Sequence, residues 1–356
     1  MKTISEKKDI RDLSFPELVS FFESLGEKPF RAKQIFDWIY TKGAVGFDAM
    51  TNLPAGLRAA LKEQFILEEP VLAHKDVSAD GTTKFLFSLE DNEKVETVLI
   101  PTETRTTACI STQAGCKFGC RFCASGIGGW ARNLTAAEIL SEVLYVKNHA
   151  PQKDLSHIVF MGVGEPLDNY DNLIKAIRLI NFSEGMNFAA RRITISTCGL
   201  VPKIQRLAKE GLQVELAVSL HGSSNESRNV LMPVNRKYPM KDLIAACREY
   251  IKATNRQITF EYILIKDITC TEEAAQELAG NLKGMICKLN LIPYNPVQEF
   301  PYKPPSSEEM RHFQKRLKAL GIHATLRTPR GRDIAAACGQ LRHVTSSDTM
   351  LKAYPS

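Results

Sequence analysis

No uninterrupted apolar run in this chain of 356 residues is long enough to span a bilayer, and the opening MKTISEKKDIRD has no apolar signal segment. These two absences predict a soluble, reducing, cytoplasmic setting with no membrane partner. Cysteine is present nine times, an odd count that argues against a fully paired disulfide framework. Internal repeats and low-complexity tracts are also missing. Excess charge is slight, since 46 Lys and Arg against 40 Asp and Glu leave only +6, which favours a polyanionic partner mildly and identifies none. At 44% hydrophobic and 24% charged, the chain can bury a substantial core, and its length predicts two domains.

What the chain does have is Cys116-Lys117-Phe118-Gly119-Cys120-Arg121-Phe122-Cys123, three cysteines in eight residues. That is one thiolate fewer than a closed four-ligand site requires. Thiolates are soft ligands, and a four-iron cluster held by three of them leaves one iron open for something else. The competing reading is a zinc site completed by Cys109 or a histidine. Zinc sites usually use two short pairs, whereas here one pair is spaced by three and no second pair follows.

Apolar residues recur at three-to-four spacing from about residue 5 to 68, as in Leu18, Phe21, Phe22 and Leu25, then Ile35, Phe36, Ile39 and Tyr40, which predicts a small helical domain over 1–70. Residues 71–100 change period, and KFLFSL and KVETVLI read as strands of a short β linker or barrel extension that joins or flanks the next domain. From 101 to 340 strands and helices alternate. TACIST, HIVFMGVG, RRITISTC, QVELAVSLH, QITFEYILI and KLNLIPYN give six units of an α/β fold, a partial barrel. The end after Pro304 reads as one helix plus a basic loop, with a tail over 341–356.

In parallel barrels the working residues lie at the carboxyl ends of the strands. Those ends carry Gly162-Val163-Gly164-Glu165-Pro166, Ser196, Ser219-Leu220-His221 and Asn295. Glycines there let backbone approach a ligand, and Glu165 can accept from an amine. Singly each is equally a structural terminus. The glycine pair is not a dinucleotide fingerprint, because Leu167 stands where a third glycine belongs.

Spacing of three and then two resembles the radical S-adenosylmethionine (SAM) superfamily. CKFGCRFCASGIGGWARNLT, GVGEPLDN, ITISTCGLVP, LAVSLH, LMPVNRKYP, LIPYNP and RTPRGRDIAAACGQL together resemble the RlmN/Cfr group of adenine RNA methyltransferases. The resemblance implies a partial (β/α)6 radical SAM barrel in which Cys116, Cys120 and Cys123 ligate one [4Fe-4S] cluster. Gly164, Glu165, Ser196, Ser219, Leu220, His221 and Asn295 would hold SAM, used twice per turnover. Cys338 would be methylated by the first SAM, Cys109 would resolve the intermediate, and Glu96 would take the substrate proton.

A polar methyl transfer fails at carbon 2 of adenine, which is electron-poor and has no lone pair, whereas a thiolate accepts the methyl readily. Two cysteines and a base are what a radical route needs. The resemblance implies 23S rRNA and tRNA as substrates, the helical domain as an RNA-binding accessory, an electron donor such as flavodoxin or ferredoxin, and a thiol reductant. Nothing in the sequence demands more than a monomer. Pro166 and LIPYNP resemble the carbon-2 branch rather than the carbon-8, antibiotic-resistance branch. Other readings are a metal-stabilised RNA-binding protein and a radical SAM activase, the latter giving Cys338 no job. Arg191, Arg192, Arg236, Lys237, Arg327, Arg330 and Arg332 are candidate phosphate contacts, and Cys198, Cys247, Cys270 and Cys287 read as structural.

Overall fold

The computed structural model describes residues 7–150 and 154–342, so most of the tail expected over 341–356 lies outside the described residues. At the amino end, strand β1 (Lys8–Asp9) pairs in parallel with β2 (Phe65–Ile66) and closes the segment on itself around helices α1 (Phe15–Ser24), α2 (Phe30–Phe36) and α3 (Ala55–Gln64). Ser14 and Glu17 form a capping box that fixes where α1 begins. Leu18, Phe22, Ile35, Phe36, Ile39 and Tyr40 are buried as the periodicity predicts. Leu25 is exposed, because it caps α1 beyond the apolar stripe.

Three antiparallel strands follow: β3 (Val71–Val77), β4 (Thr83–Ser88) and β5 (Lys94–Pro101). They extend the main sheet, since β5 pairs antiparallel with β6 (Thr106–Cys109). A hairpin of β7 (Gln113–Gly115) and β8 (Trp130–Asn133) stands outside that sheet. Strands β9 (His157–Phe160), β10 (Ile193–Thr197), β11 (Glu215–Ser219), β12 (Ile258–Leu264) and β13 (Cys287–Pro293) then run parallel to β6. These are the six strands read from the sequence, and they form the expected partial barrel. A further short parallel strand, β14 (Ala324–Leu326), pairs with β13 where a basic loop was expected.

Helices α4 (Ala136–His149), α5 (Tyr170–Asn181), α6 (Val201–Leu207), α7 (Asn225–Leu231), α8 (Met240–Thr254), α9 (Glu272–Leu282) and α10 (Ser307–Ala319) connect the strands. Parallel neighbours require such crossovers. Helix α4 is largely buried between the amino-terminal helices and the sheet, where Asp12 accepts from the Ala137 N–H at 2.9 Å. No helix among the described residues is long and apolar enough to cross a membrane.

Candidate active site

The connection between β7 and β8 carries the three clustered cysteines. Its ends are pinched together: a Cβ on Gly115, which has φ +80°, would lie 2.1 Å from the Gly129 carbonyl oxygen, and the Cys116 N–H donates to that oxygen at 2.8 Å. The Arg121 N–H donates to Leu231 O at 2.9 Å and docks the loop on the end of α7. Burial pushes the Cys116 thiol up to about 12, and Cys123 adds to the effect; burial also raises Cys120, with Cys123 and Cys116 adding to it. Among the described residues no three His, Cys, Asp or Glu side chains close around one metal-ion position. Three soft thiolate donors on one short loop fit an iron-sulfur cluster with one iron left open.

The candidate SAM residues sit at the carboxyl ends of neighbouring strands. After β9, a Cβ on Gly162 would meet Ser111 Oγ at 2.6 Å and one on Gly164, φ +104°, would meet Gln113 Cβ at 2.6 Å, so only glycine lets this turn lie against the strand ends. Glu165 is buried, and its two oxygens accept from the backbone N–H groups of Leu167 (3.0 Å) and Cys198 (2.7 Å). Burial raises its carboxyl pKa despite these bonds. Ser196 on β10 and Ser219 on β11 are half-buried, while Leu220 is fully buried. His221 adopts φ +52°, accepts from the Ile263 N–H at Nδ1 (3.1 Å) and packs edge-on against Phe122 at 4.8 Å. That bond leaves the proton on Nε2, and burial followed by the Arg228 charge lowers the pKa to about 3, so the ring is neutral.

The segment bearing Cys338 lies on top of the cysteine loop. The Ala124 N–H donates to Gly339 O at 2.7 Å and Ser125 Oγ donates to Leu341 O at 2.8 Å. Asn295, at the end of β13, donates to Cys338 O at 3.0 Å and accepts from Arg332 Nε at 2.7 Å. Cys338 is exposed, yet its surroundings raise the thiol pKa through burial, then Glu261, with Cys123 contributing as well. Cys109, at the end of β6, is buried with Val98, Val163, Ala336 and Leu341. Burial pushes its thiol up strongly, and Cys338 heads the charged groups that add to this. Cys109 thus packs against Ala336 and Leu341, on either side of Cys338 in the chain.

Glu96 on β5 is buried, not solvent-facing as its alternation with apolar neighbours would suggest. Val98 pairs directly with Cys109, so Glu96, Val98 and Cys109 share one face of the sheet. Lys84 Nζ lies 3.2 Å from one Glu96 oxygen, and the Arg342 N–H donates to the other at 2.6 Å. Burial raises the carboxyl pKa, with Lys84 opposing it. The bond from Arg342 joins the β extension to the Cys338 segment.

Several residues that shape the site were not visible in the sequence. The β3–β4 turn grips the approach to Cys338: Ser78 Oγ donates to Asp333 (2.6 Å), the Ala79 N–H also donates to Asp333 (3.2 Å), and the Gly331 N–H donates to Asp80 (3.1 Å). Arg228 is fully buried and ties β10 to β11 through the carbonyls of Cys198, Ser219 and Leu220. A lone arginine in a helix between strands gives no signal of burial. Of the candidate phosphate contacts, Arg327 follows β14 at the site end, but Arg191 and Arg192 precede β10 and lie at the opposite end of the barrel.

Comparison with known proteins agrees with this geometry. Residues 110–279 match the model of the radical SAM superfamily, and residues 8–67 match that of the ribosomal RNA large subunit methyltransferase N-terminal domain. The chain is 46% identical over 339 residues to a probable dual-specificity RNA methyltransferase RlmN of Desulforamulus reducens, covering 95% of this chain and 97% of that one. It is 46% identical over 340 residues to the protein of the same description in Bacillus licheniformis, covering 95% and 94%. The crystal structure of a radical SAM methyltransferase from Sphaerobacter thermophilus superimposes with a TM-score of 0.91 at 46% identity, covering 94% of this chain and 98% of that chain. A match of both segments, in sequence along nearly the whole length and in fold, places the chain in the RlmN family of radical SAM RNA methyltransferases.

Proposed function

We propose that this enzyme methylates carbon 2 of adenosine in 23S rRNA and in tRNA, with Cys338 carrying the transferred carbon. The observation that supports this most is the docking of the Cys338 segment on the cysteine loop through Ala124 and Gly339, with Cys109 facing the same segment. The dual specificity in the names of its relatives supports two RNA substrates. Cys116, Cys120 and Cys123 would hold the cluster, and Gly164, Glu165, Ser196, Ser219, Leu220, His221 and Asn295 would line the SAM site. Such a cluster, with SAM bound, would supply a 5′-deoxyadenosyl radical.

The protein's own groups account for the remaining work. Cys338, as thiolate, would attack the methyl carbon of one SAM, expelling S-adenosylhomocysteine and becoming a thioether, so the carbon starts at an exposed position on the rim. Glu96 takes the carbon-2 proton of the base, and burial suits it by raising its proton affinity. Once the carbon on Cys338 has given one hydrogen to the 5′-deoxyadenosyl radical and bonded to carbon 2, Cys109 would attack the sulfur of Cys338: the carbon–sulfur bond breaks, its carbon takes up a proton to become the methyl group, the odd electron returns to the donor chain, and a Cys109–Cys338 disulfide remains for an external thiol to reduce before the next cycle. The electrons for SAM cleavage come from a flavodoxin- or ferredoxin-like donor. The adenosine must leave its stack to reach Cys338.

Replacing Cys109 by Ala is expected to accumulate RNA covalently joined to Cys338, seen as a shifted band and by peptide mass spectrometry, whereas Cys338→Ala forms no adduct. Free methylated RNA from either variant at the normal rate would overturn the scheme. 8-methyladenosine as sole product would move the reaction to the other ring carbon.

A further inference from the structure

Arg228 is 0% exposed and donates four hydrogen bonds, to Leu220 O (3.0 Å), Asn235 Oδ1 (3.0 Å), Cys198 O (2.6 Å) and Ser219 O (3.2 Å). Every acceptor is neutral. Among the described residues no carboxylate forms an ion pair with this guanidinium, and the cysteine loop lies against the element that carries it: the N–H of Arg121, next to Cys120, donates to Leu231 O at the end of α7 (2.9 Å), and Phe122 packs on His221, next to the Leu220 carbonyl that Arg228 holds. Burying a cation without a counter-charge is costly, and cores usually avoid it. The fold nevertheless makes room for it. A Cβ on Gly199 would sit 3.1 Å from Arg228 Nη2, and one on Gly222 would sit 2.8 Å from its backbone and Cβ.

Hydrogen bonding to three carbonyls does not require a full charge, since an amide side chain also donates. A positive charge fixed in a dry interior is warranted where an anion faces it. Cys198 and Cys247 stand alone in the sequence, but Cys120 belongs to the triplet that becomes anionic when it ligates iron. The loop's own cation, Lys117, is taken up by Asp168 at 2.8 Å. Arg228 is the buried cation on the Cys120 side.

We infer that Arg228 is the fixed counter-charge of the cluster-bearing loop, and that it makes a cluster held by Cys116, Cys120 and Cys123 easier to reduce. The inference rests on the proposed function and adds a positioning residue for its electron-accepting step. One-electron reduction adds a negative charge to the cluster, and a nearby buried cation stabilises that product more than the oxidised form.

The test uses the full-length protein reconstituted anaerobically with iron and sulfide, with the reduction potential read by redox titration. Arg228→Gln is expected to weaken the reduction equilibrium at least tenfold, about 59 mV toward negative potential for one electron. Arg228→Lys keeps the charge and is expected to stay within threefold of the unmodified protein. Cys247→Asp leaves the Arg228 hydrogen bonds in place and sets a carboxylate beside it, so it shifts the potential in the direction of Arg228→Gln, and it decides the matter if Arg228→Gln fails to fold. Potentials unchanged in the neutralised variants, at unaltered iron and sulfide content, would overturn the inference. An unmodified protein that binds no cluster through the three cysteines would instead overturn the proposed function.

Discussion

Glu142 offers the sharpest test of how the site is supported from behind. It lies on α4, fully enclosed, where one carboxyl oxygen accepts from Thr97 Oγ1 and from the Ser111 N–H (3.0 Å) while the other has no partner. Ser111 in turn donates through Oγ to the Glu96 carbonyl at 2.6 Å and accepts from the Val163 N–H at 2.9 Å. The carboxyl thus braces the junction that carries both Glu96 and Cys109. Burial raises its pKa from 4.5 to about 8, against the hydrogen bonds from Thr97 and Ser111 that lower it. The folded protein holds a proton that the unfolded chain releases. The stabilisation is therefore complete below about pH 4.5 and is lost as pH rises through about 8.

At about 1.4 kcal/mol for each tenfold change in proton affinity, the full span links to roughly 5 kcal/mol, of which roughly 3 is lost by pH 7. Glutamine cannot ionise. Glu142→Gln places a buried N–H where no acceptor waits, which costs about 1–3 kcal/mol at every pH. The variant should therefore be slightly less stable than the unmodified protein at pH 5 and more stable at pH 9. Anaerobic urea-unfolding midpoints measured at pH 5, 7 and 9 would show the curves crossing. A stability difference that does not change with pH would refute the reasoning, because it would mean that Glu142 is ionised in the folded state.

Two further outcomes follow from the geometry. His221→Ala leaves the Ile263 N–H buried without an acceptor and is expected to lower stability by about 1–3 kcal/mol, while His221→Asn, which tolerates positive φ and offers a side-chain oxygen, restores at least half of that in thermal unfolding. Asp80 is held down at about 2: burial alone would raise it, but hydrogen bonds from Thr82, Gly331 and Ser78 prevail. Replacing Asp80 and Asp333 together by Ala releases the turn from the Cys338 segment, and a drop in kcat of at least tenfold with unchanged SAM binding by calorimetry is expected; unchanged kcat would show that the turn does not position Cys338.

The six parallel strands were legible because apolar β-branched runs bounded by turn residues recur between helical patterns, and period alone separates the two. Strand β3 was not, since its residues are mostly exposed and include His74, Lys75 and Asp76, so no apolar alternation marks it. Strand β14 escaped for a similar reason: two half-buried residues flanking the exposed Thr325 carry too little pattern, and pairing with β13 supplies its order. Alternation around Glu96 points outward only when one face of a sheet is solvated. Here the carboxyl-terminal segment covers that face, and the carboxylate is enclosed.

Local order in the chain was enough to place three cysteines on one loop and to put the glycine, glutamate, serine, histidine and asparagine candidates at strand ends, because spacing and strand polarity are properties of short segments. Which distant groups meet was decided by tertiary packing. Cys109 packs against the Cys338 segment, Asp80 and Asp333 join a turn to that same segment, and Arg228 is enclosed on the helix that docks the cysteine loop, since the sheet extension, the barrel and the last segment close on one another. Burial and long-range electrostatics arise only when segments far apart in sequence exclude water together.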